Sequence, residues 1–127
     1  MSASNYLENK LLDHTLGGTA FTQPSTLYLA LSTVSFADDA SGTELSGSNY
    51  SRKSITFAAA SSGSSATNAA VEFDAASGSW GSVGYWAIWD ASTTGNMLFH
   101  GSFTAAKTIA TGDVLKVASG SITISLD

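Results

Sequence analysis

The chain has 127 residues, a length that suits one folded domain and leaves little room for a second. Charged residues make up 12 % of it, about half the usual share, and the net charge is −5. The five basic residues are scattered, so no basic stripe is available to neutralise phosphates and we expect no nucleic-acid partner. The negative charge also disfavours attraction to an anionic membrane.

Cysteine is absent, which excludes disulfides, thiolate catalysis and thiolate metal ligands. The first residues, Met1 to Asn5, are polar, and no apolar run of signal-peptide or transmembrane length follows them. The sequence therefore predicts a protein that is made in soluble form in the cytoplasm.

The N-terminal segment predicts one helix at about residues 5–16. Asn5 is a suitable N-cap, and Glu8 three residues later completes a capping-box pattern. An apolar stripe at near-helical spacing is formed by Leu7, Leu11, Leu12 and Leu16. The pair Gly17-Gly18 can supply the positive φ that ends a helix.

From Phe21 onward the apolar period changes to two, which predicts a series of short strands. Strands are predicted at 25–33, 50–58, 67–73, 83–90, 97–102, 114–118 and 121–126, with a hairpin turn at 91–96. Short strands separated by turn residues are typical of an antiparallel β-sandwich or a jelly-roll-like barrel. We therefore predict a mainly β protein, a single domain over residues 1–127, with the sandwich at about 21–127.

The segment 83–90 is the most hydrophobic of these strands, and it is apolar on both faces. One face is predicted to hold Gly84, Trp86 and Ile88, and the other to hold Tyr85, Ala87 and Trp89. A strand of this kind has to be covered on both sides. In the earlier segment 50–58, the alternation places Ile55 and Phe57 inward and Arg52 on the polar side.

Two groups of residues could form a chemical site, and each also has a purely structural interpretation. His100, with Asp90 and one of the many serines, could complete a Ser-His-Asp arrangement, but no G-x-S-x-G elbow is present and a structural histidine is favoured. Asp38, Asp39 and Glu44 could hold Ca²⁺, but the residue order of an EF-hand loop is missing and a solvated acidic loop is favoured. We predict no catalytic, metal-binding or cofactor-binding residue.

The three tryptophans, Trp80, Trp86 and Trp89, could form a sugar-binding platform together with Tyr85. An aromatic group of this kind can also belong to the core on one side and to a subunit interface on the other. The second interpretation is favoured because most of the group lies inside the most apolar strand.

A succession of short segments, spread over nearly the whole chain, resembles that of a known protein family. The segments are YLENKLLDH (6–14), LYLALS (27–32), GTELSG (42–47), YSR (50–52), WGSV (80–83), IWDA (88–91), GNMLFHG (95–101), KTI (107–109), GD (112–113) and ISLD (124–127). The family consists of small proteins of tailed bacteriophages that are known as tail-fibre or head-decoration proteins. The resemblance implies a component of the virion, made in the host cytoplasm and carried on the particle surface.

Two functions follow from this resemblance, both structural and neither enzymatic. The preferred hypothesis is a capsid decoration (cement) protein, a trimer that bridges copies of the major capsid protein, because a domain without a stalk suits a many-copy clamp. The alternative is a tail-fibre or tail-tip subunit that binds other tail proteins, with host-surface glycans as a further candidate ligand. The candidate contact residues are Leu7, Leu11, Leu16, Tyr85, Trp86 and Trp89.

Overall fold

The computed structural model describes residues 1–126, which are mainly β with one short helix near the N-terminus. The strands are β1 (Ser2–Ala3), β2 (Leu27–Ser32), β3 (Lys53–Ile55), β4 (Ser64–Ala66), β5 (Val71–Glu72), β6 (Gly81–Trp89), β7 (Met97–Ile109), β8 (Lys116–Val117) and β9 (Thr123–Ser125). The helix α1 spans Asn5–Leu12 and continues as a π-helical segment over Asp13–Gly17. The predicted fold class is confirmed, while the last residue of the predicted sandwich, Asp127, lies outside the described residues.

The strands form one five-stranded sheet and two small two-stranded sheets. The order in the large sheet is β1-β7-β6-β2-β3, and β4-β9 and β5-β8 make the small ones, all with antiparallel neighbours. One cluster of buried side chains joins Leu29 and Ile88 of the large sheet to Val71 and Val117 of β5 and β8. The main core therefore lies between two layers, as in a β-sandwich.

The opposite face of the central strands carries a second, smaller cluster. Ala30 of β2 and Ala87 of β6 are fully buried there, together with Met97 at the start of β7. Phe36, from the loop after β2, lies against them, and Trp89 packs at the edge of the cluster. The helix α1 also contacts β7. The chain itself thus covers a large part of both faces of β6.

The N-cap of the helix is Ser4, one residue before the predicted cap Asn5, which is instead the first residue of α1. The Ser4 hydroxyl accepts a hydrogen bond from the Leu7 N–H at 3.2 Å and donates one to the Met97 carbonyl. The Ser4 N–H donates to the Leu98 carbonyl at 2.8 Å. Ser4 is fully buried, so one small side chain both starts the helix and fastens it to the large sheet.

Strand β7 is longer than predicted, because it continues past an irregularity in its pairing with β6. Tyr85 pairs with Ser102 and Val83 pairs with Lys107, so that Gly84 alone faces four residues of β7. The extra residues form a large bulge. The bulge breaks the alternation along β6, and Val83 rather than Gly84 joins the main core beside Trp86.

The other differences concern strand length. The predicted strand at 50–58 is reduced to β3, and the strands predicted at 67–73, 114–118 and 121–126 are reduced to β5, β8 and β9. The short strands β1 and β4 were not predicted. Since paired segments of two or three residues carry too few side chains for an alternating pattern, the sequence gives no signal for them.

Substitution of Ser4 by Ala removes the cap and leaves the N–H of Leu7 without its acceptor. We expect this variant to lose about 1–2 kcal/mol of unfolding free energy. The exposed residue Asn5 is the matched control, and Asn5→Ala should stay within about 0.5 kcal/mol of the parent protein. Chemical denaturation of the three proteins measures both values, and equal losses in the two variants would contradict the assignment of the cap.

Candidate interaction surfaces

Arg52, the only arginine of the chain, is buried between two loops and the large sheet. Its side chain is 6 % exposed, and its Nε and Nη2 groups donate to both carboxylate oxygens of Glu44 at 2.8–3.2 Å. Its Nη1 group donates to the carbonyls of Ala91 and Thr94, each at 2.8 Å, in the turn between β6 and β7. The guanidinium carbon also lies 4.1 Å from the centroid of the Trp89 ring, a cation–π contact.

Tyr50 completes this group of side chains. Its hydroxyl donates to Glu44 at 2.6 Å and accepts from the Leu31 N–H of β2 at 3.0 Å. Burial raises the pKa of the Tyr50 phenol, and the neighbouring carboxylate of Glu44 raises it further, so the hydroxyl keeps its proton. We refer to Glu44, Tyr50, Arg52 and Trp89 as the Arg52 cluster.

The Arg52 cluster corrects the prediction that Arg52 lies on the polar side of its strand. Sequence reasoning missed the cluster because Arg52 and Glu44 lie in different segments, and an alternating pattern does not show which polar side chains meet. One signal was available. In a chain with 12 % charged residues, a single arginine in a segment whose other side chains face the core suggests that its guanidinium binds a specific partner.

The acidic loop has no convergent set of oxygen ligands. The Glu44 carboxylate accepts hydrogen bonds from Arg52 and Tyr50, and the Asp39 carboxylate accepts one from the Ser41 N–H at 2.9 Å. Among residues 1–126, no group of three or more His, Asp or Glu side chains could hold a metal ion.

His100 pairs with Asp38 and not with Asp90. His100 Nε2 lies 2.7 Å from Asp38 Oδ1, and the Ser2 hydroxyl donates to the same oxygen at 2.9 Å. The hydrogen bond with His100 holds the pKa of Asp38 below its usual value, and the bond from Ser2 lowers it further. Asp90 instead accepts two hydrogen bonds from Asn96, at 2.7 and 2.9 Å.

The order of these three side chains decides their chemistry. The carboxylate stands between the serine and the histidine, so Ser2 and His100 both bond to Asp38. A nucleophile needs a direct hydrogen bond to its general base, and the Ser2 hydroxyl instead donates to a carboxylate. The group ties β1 to β7 and to the loop after β2, and its geometry is that of a structural link.

The structure distributes the six predicted contact residues between core and surface. Leu7 and Trp86 are buried within the chain. Leu11, Tyr85 and Trp89 are half-buried, and Leu16 is 80 % exposed. The other tryptophan, Trp80, is also buried and donates through Nε1 to the Ser48 carbonyl at 2.9 Å. The three tryptophans therefore do not form an exposed platform.

The most exposed apolar side chains of the helical segment are Leu12 and Leu16. Leu12 is 55 % exposed and Leu16 is 80 % exposed, and their spacing of four residues suits one side of a helix. We refer to these two residues as the helix-end patch. No helix within residues 1–126 is both long and apolar enough to cross a membrane.

The family model for the podophage GP4 fiber I protein gp80 matches residues 2–125. The chain belongs to this family. The match confirms the relation to phage virion proteins, and the chain is a structural component of the virion. It supports the tail-fibre alternative better than the capsid-decoration hypothesis. A search of curated proteins finds no match.

Substitution of Arg52 by Met removes the buried partner of an ion pair and leaves Glu44, whose side chain is 24 % exposed, without its cation. We expect a loss of about 2–4 kcal/mol of unfolding free energy, less than for a fully buried pair because water partly solvates the remaining carboxylate. Lys53 is the matched control, since it forms an ion pair at the surface. Its side chain is 28 % exposed, and that of its partner Asp74 is 55 % exposed. Lys53→Met should cost less than about 1 kcal/mol.

Urea denaturation of both variants at neutral pH measures these changes. If Arg52→Met lost no more stability than Lys53→Met, the Arg52 cluster would not have the structural role that its geometry indicates.

Proposed function

We propose that this protein is a non-enzymatic subunit of a tail fibre, which joins other tail proteins on the phage particle. The observation that carries the proposal is the match to a podophage fiber protein over residues 2–125, nearly the whole chain. A capsid-decoration role has no comparable support. The Ser2–Asp38–His100 group adds to the non-enzymatic assignment, because its carboxylate separates the serine from the histidine.

The contacts with other tail proteins are proposed to use the apolar side chains that the fold leaves accessible. The helix-end patch is the first candidate, with Leu11 beside it in the sequence and half-buried. Tyr85 and Trp89 are the second candidates, since both keep part of their surface accessible. A surface with few charged groups suits this role, because fewer charges have to be desolvated when subunits pack together.

The proposal also includes association with further copies of the same chain. Fewer apolar side chains are exposed on the two faces of the large sheet than the sequence suggests, so self-association would use the helix-end patch and the half-buried aromatic residues. Exposed apolar side chains that lie together mark contacts between subunits in many proteins, and aromatic residues are enriched at such contacts.

Gold-labelled antibodies against the protein, applied to intact particles under the electron microscope, test the proposal directly. We expect the label at the tail, on fibres, because the family match is to a fiber protein. Particles from a phage that lacks the gene are the control for antibody specificity. Label spread regularly over the head would contradict the fibre assignment and support a capsid-decoration protein.

A further inference from the structure

A groove of about 310 Å³ lies beside the bulge of β7, between this strand and β8. The bulge shapes one wall of the groove, because β7 contributes four residues where β6 contributes only Gly84. Irregularities of this kind are frequent next to binding sites, where they re-aim side chains. The residues of interest in the lining are Ser102, Phe103, Thr104, Lys107, Lys116 and Ser121.

The positive charge of the groove distinguishes it from the rest of the protein. Of the five basic residues, Arg52 pairs with Glu44, Lys53 pairs with Asp74, and Lys10 lies over the Tyr6 ring at 5.7 Å. The remaining two are Lys107 and Lys116, and within residues 1–126 neither makes an ion pair.

Both of these lysines line the groove. Lys116 faces Glu72 in the pairing of β5 with β8, but the two charged groups do not form a salt bridge. Within residues 1–126, three lysines have no carboxylate partner, and two of them, Lys107 and Lys116, are gathered at one concave site on a chain with a net charge of −5. The third, Lys10, lies outside the groove. A concave surface lined by charge of one sign concentrates ions of the opposite sign.

The remaining lining has the character of a sugar site. The hydroxyl groups of Ser102, Thr104 and Ser121 offer donors and acceptors, and Phe103 supplies an aromatic ring. Leu115 and Val117 add an apolar wall. The volume is at the lower end of the range of small-ligand sites, about 300–1,000 Å³.

We propose that this groove binds an acidic sugar residue of a polysaccharide. Lys107 and Lys116 hold the sugar carboxylate through charge-assisted hydrogen bonds, and the three hydroxyl side chains bond to the sugar hydroxyls. The apolar C–H face of the ring packs against Phe103. The inference deepens the proposed function, since it names a ligand class for the fibre subunit and places the ligand away from the tryptophans.

The test uses purified full-length protein and isothermal titration calorimetry with a hexamer of galacturonic acid. We expect binding that weakens as salt is added, and no heat with maltohexaose, a neutral sugar of the same length. The double variant Lys107→Met/Lys116→Met should lose at least about tenfold in affinity, since a charge-assisted hydrogen bond contributes about 1.5–3 kcal/mol. The double variant Lys107→Arg/Lys116→Arg should keep most of the binding.

Lys10→Met is the matched control, because it removes one lysine that lies outside the groove. It should bind the acidic hexamer as the parent protein does, and a thermal melt of each variant shows that it is folded. No binding of the acidic hexamer, or equal affinity in the Lys107→Met/Lys116→Met variant, would overturn the proposal. Equally tight binding of hexaglutamate would show a site for acidic peptides and would also overturn it.

This titration is independent of the position of the protein on the virion. A capsid location would contradict the fibre assignment but would not affect the proposal that the groove binds an acidic sugar. A negative titration would contradict the sugar proposal but would not affect the fibre assignment.

Discussion

The buried guanidinium of Arg52 is the interaction on which the arrangement of the loops depends. It joins the loop that carries Glu44 to the turn at 91–94, and it closes over the Trp89 ring at the end of β6. The guanidinium and the Glu44 carboxylate are largely removed from water, so the loss of either one leaves a charge without its partner, whereas the Thr94 carbonyl remains accessible to water. A protein with few charged residues therefore uses one of them to join two loops to the large sheet.

The Arg52 cluster also changes how the central strand is understood. The sequence shows that β6 is apolar on both sides, which suggests a face left open for neighbouring subunits. The structure fills much of that face from within the chain, with Ala30, Phe36 and Met97 against Ala87, and Arg52 over Trp89. The accessible apolar surface is consequently small and divided, and the proposed contacts between subunits are patches and not a whole sheet face.

Local patterns predicted the mainly β class, the helix and the two central strands, because period and turn residues act over a few positions. They could not predict contacts between distant segments. Ser4 caps the helix because its hydroxyl also reaches the Met97 carbonyl, 93 residues away. Arg52 is buried because Glu44 and the turn after β6 surround it. The bulge of β7 depends on its register with β6, and it shapes one wall of the groove that Lys107 and Lys116 line.

Nitrogen-15 NMR of the arginine side chain tests the central claim most directly, because the chain has one arginine and its signals need no assignment by mutation. A guanidinium fixed by five hydrogen bonds and stacked on an indole should show slow exchange of its Nε and Nη protons with water and hindered rotation of its Nη groups. Exchange and rotation as fast as those of free arginine would contradict the account, since Arg52 would then be solvated and could not hold the loops together.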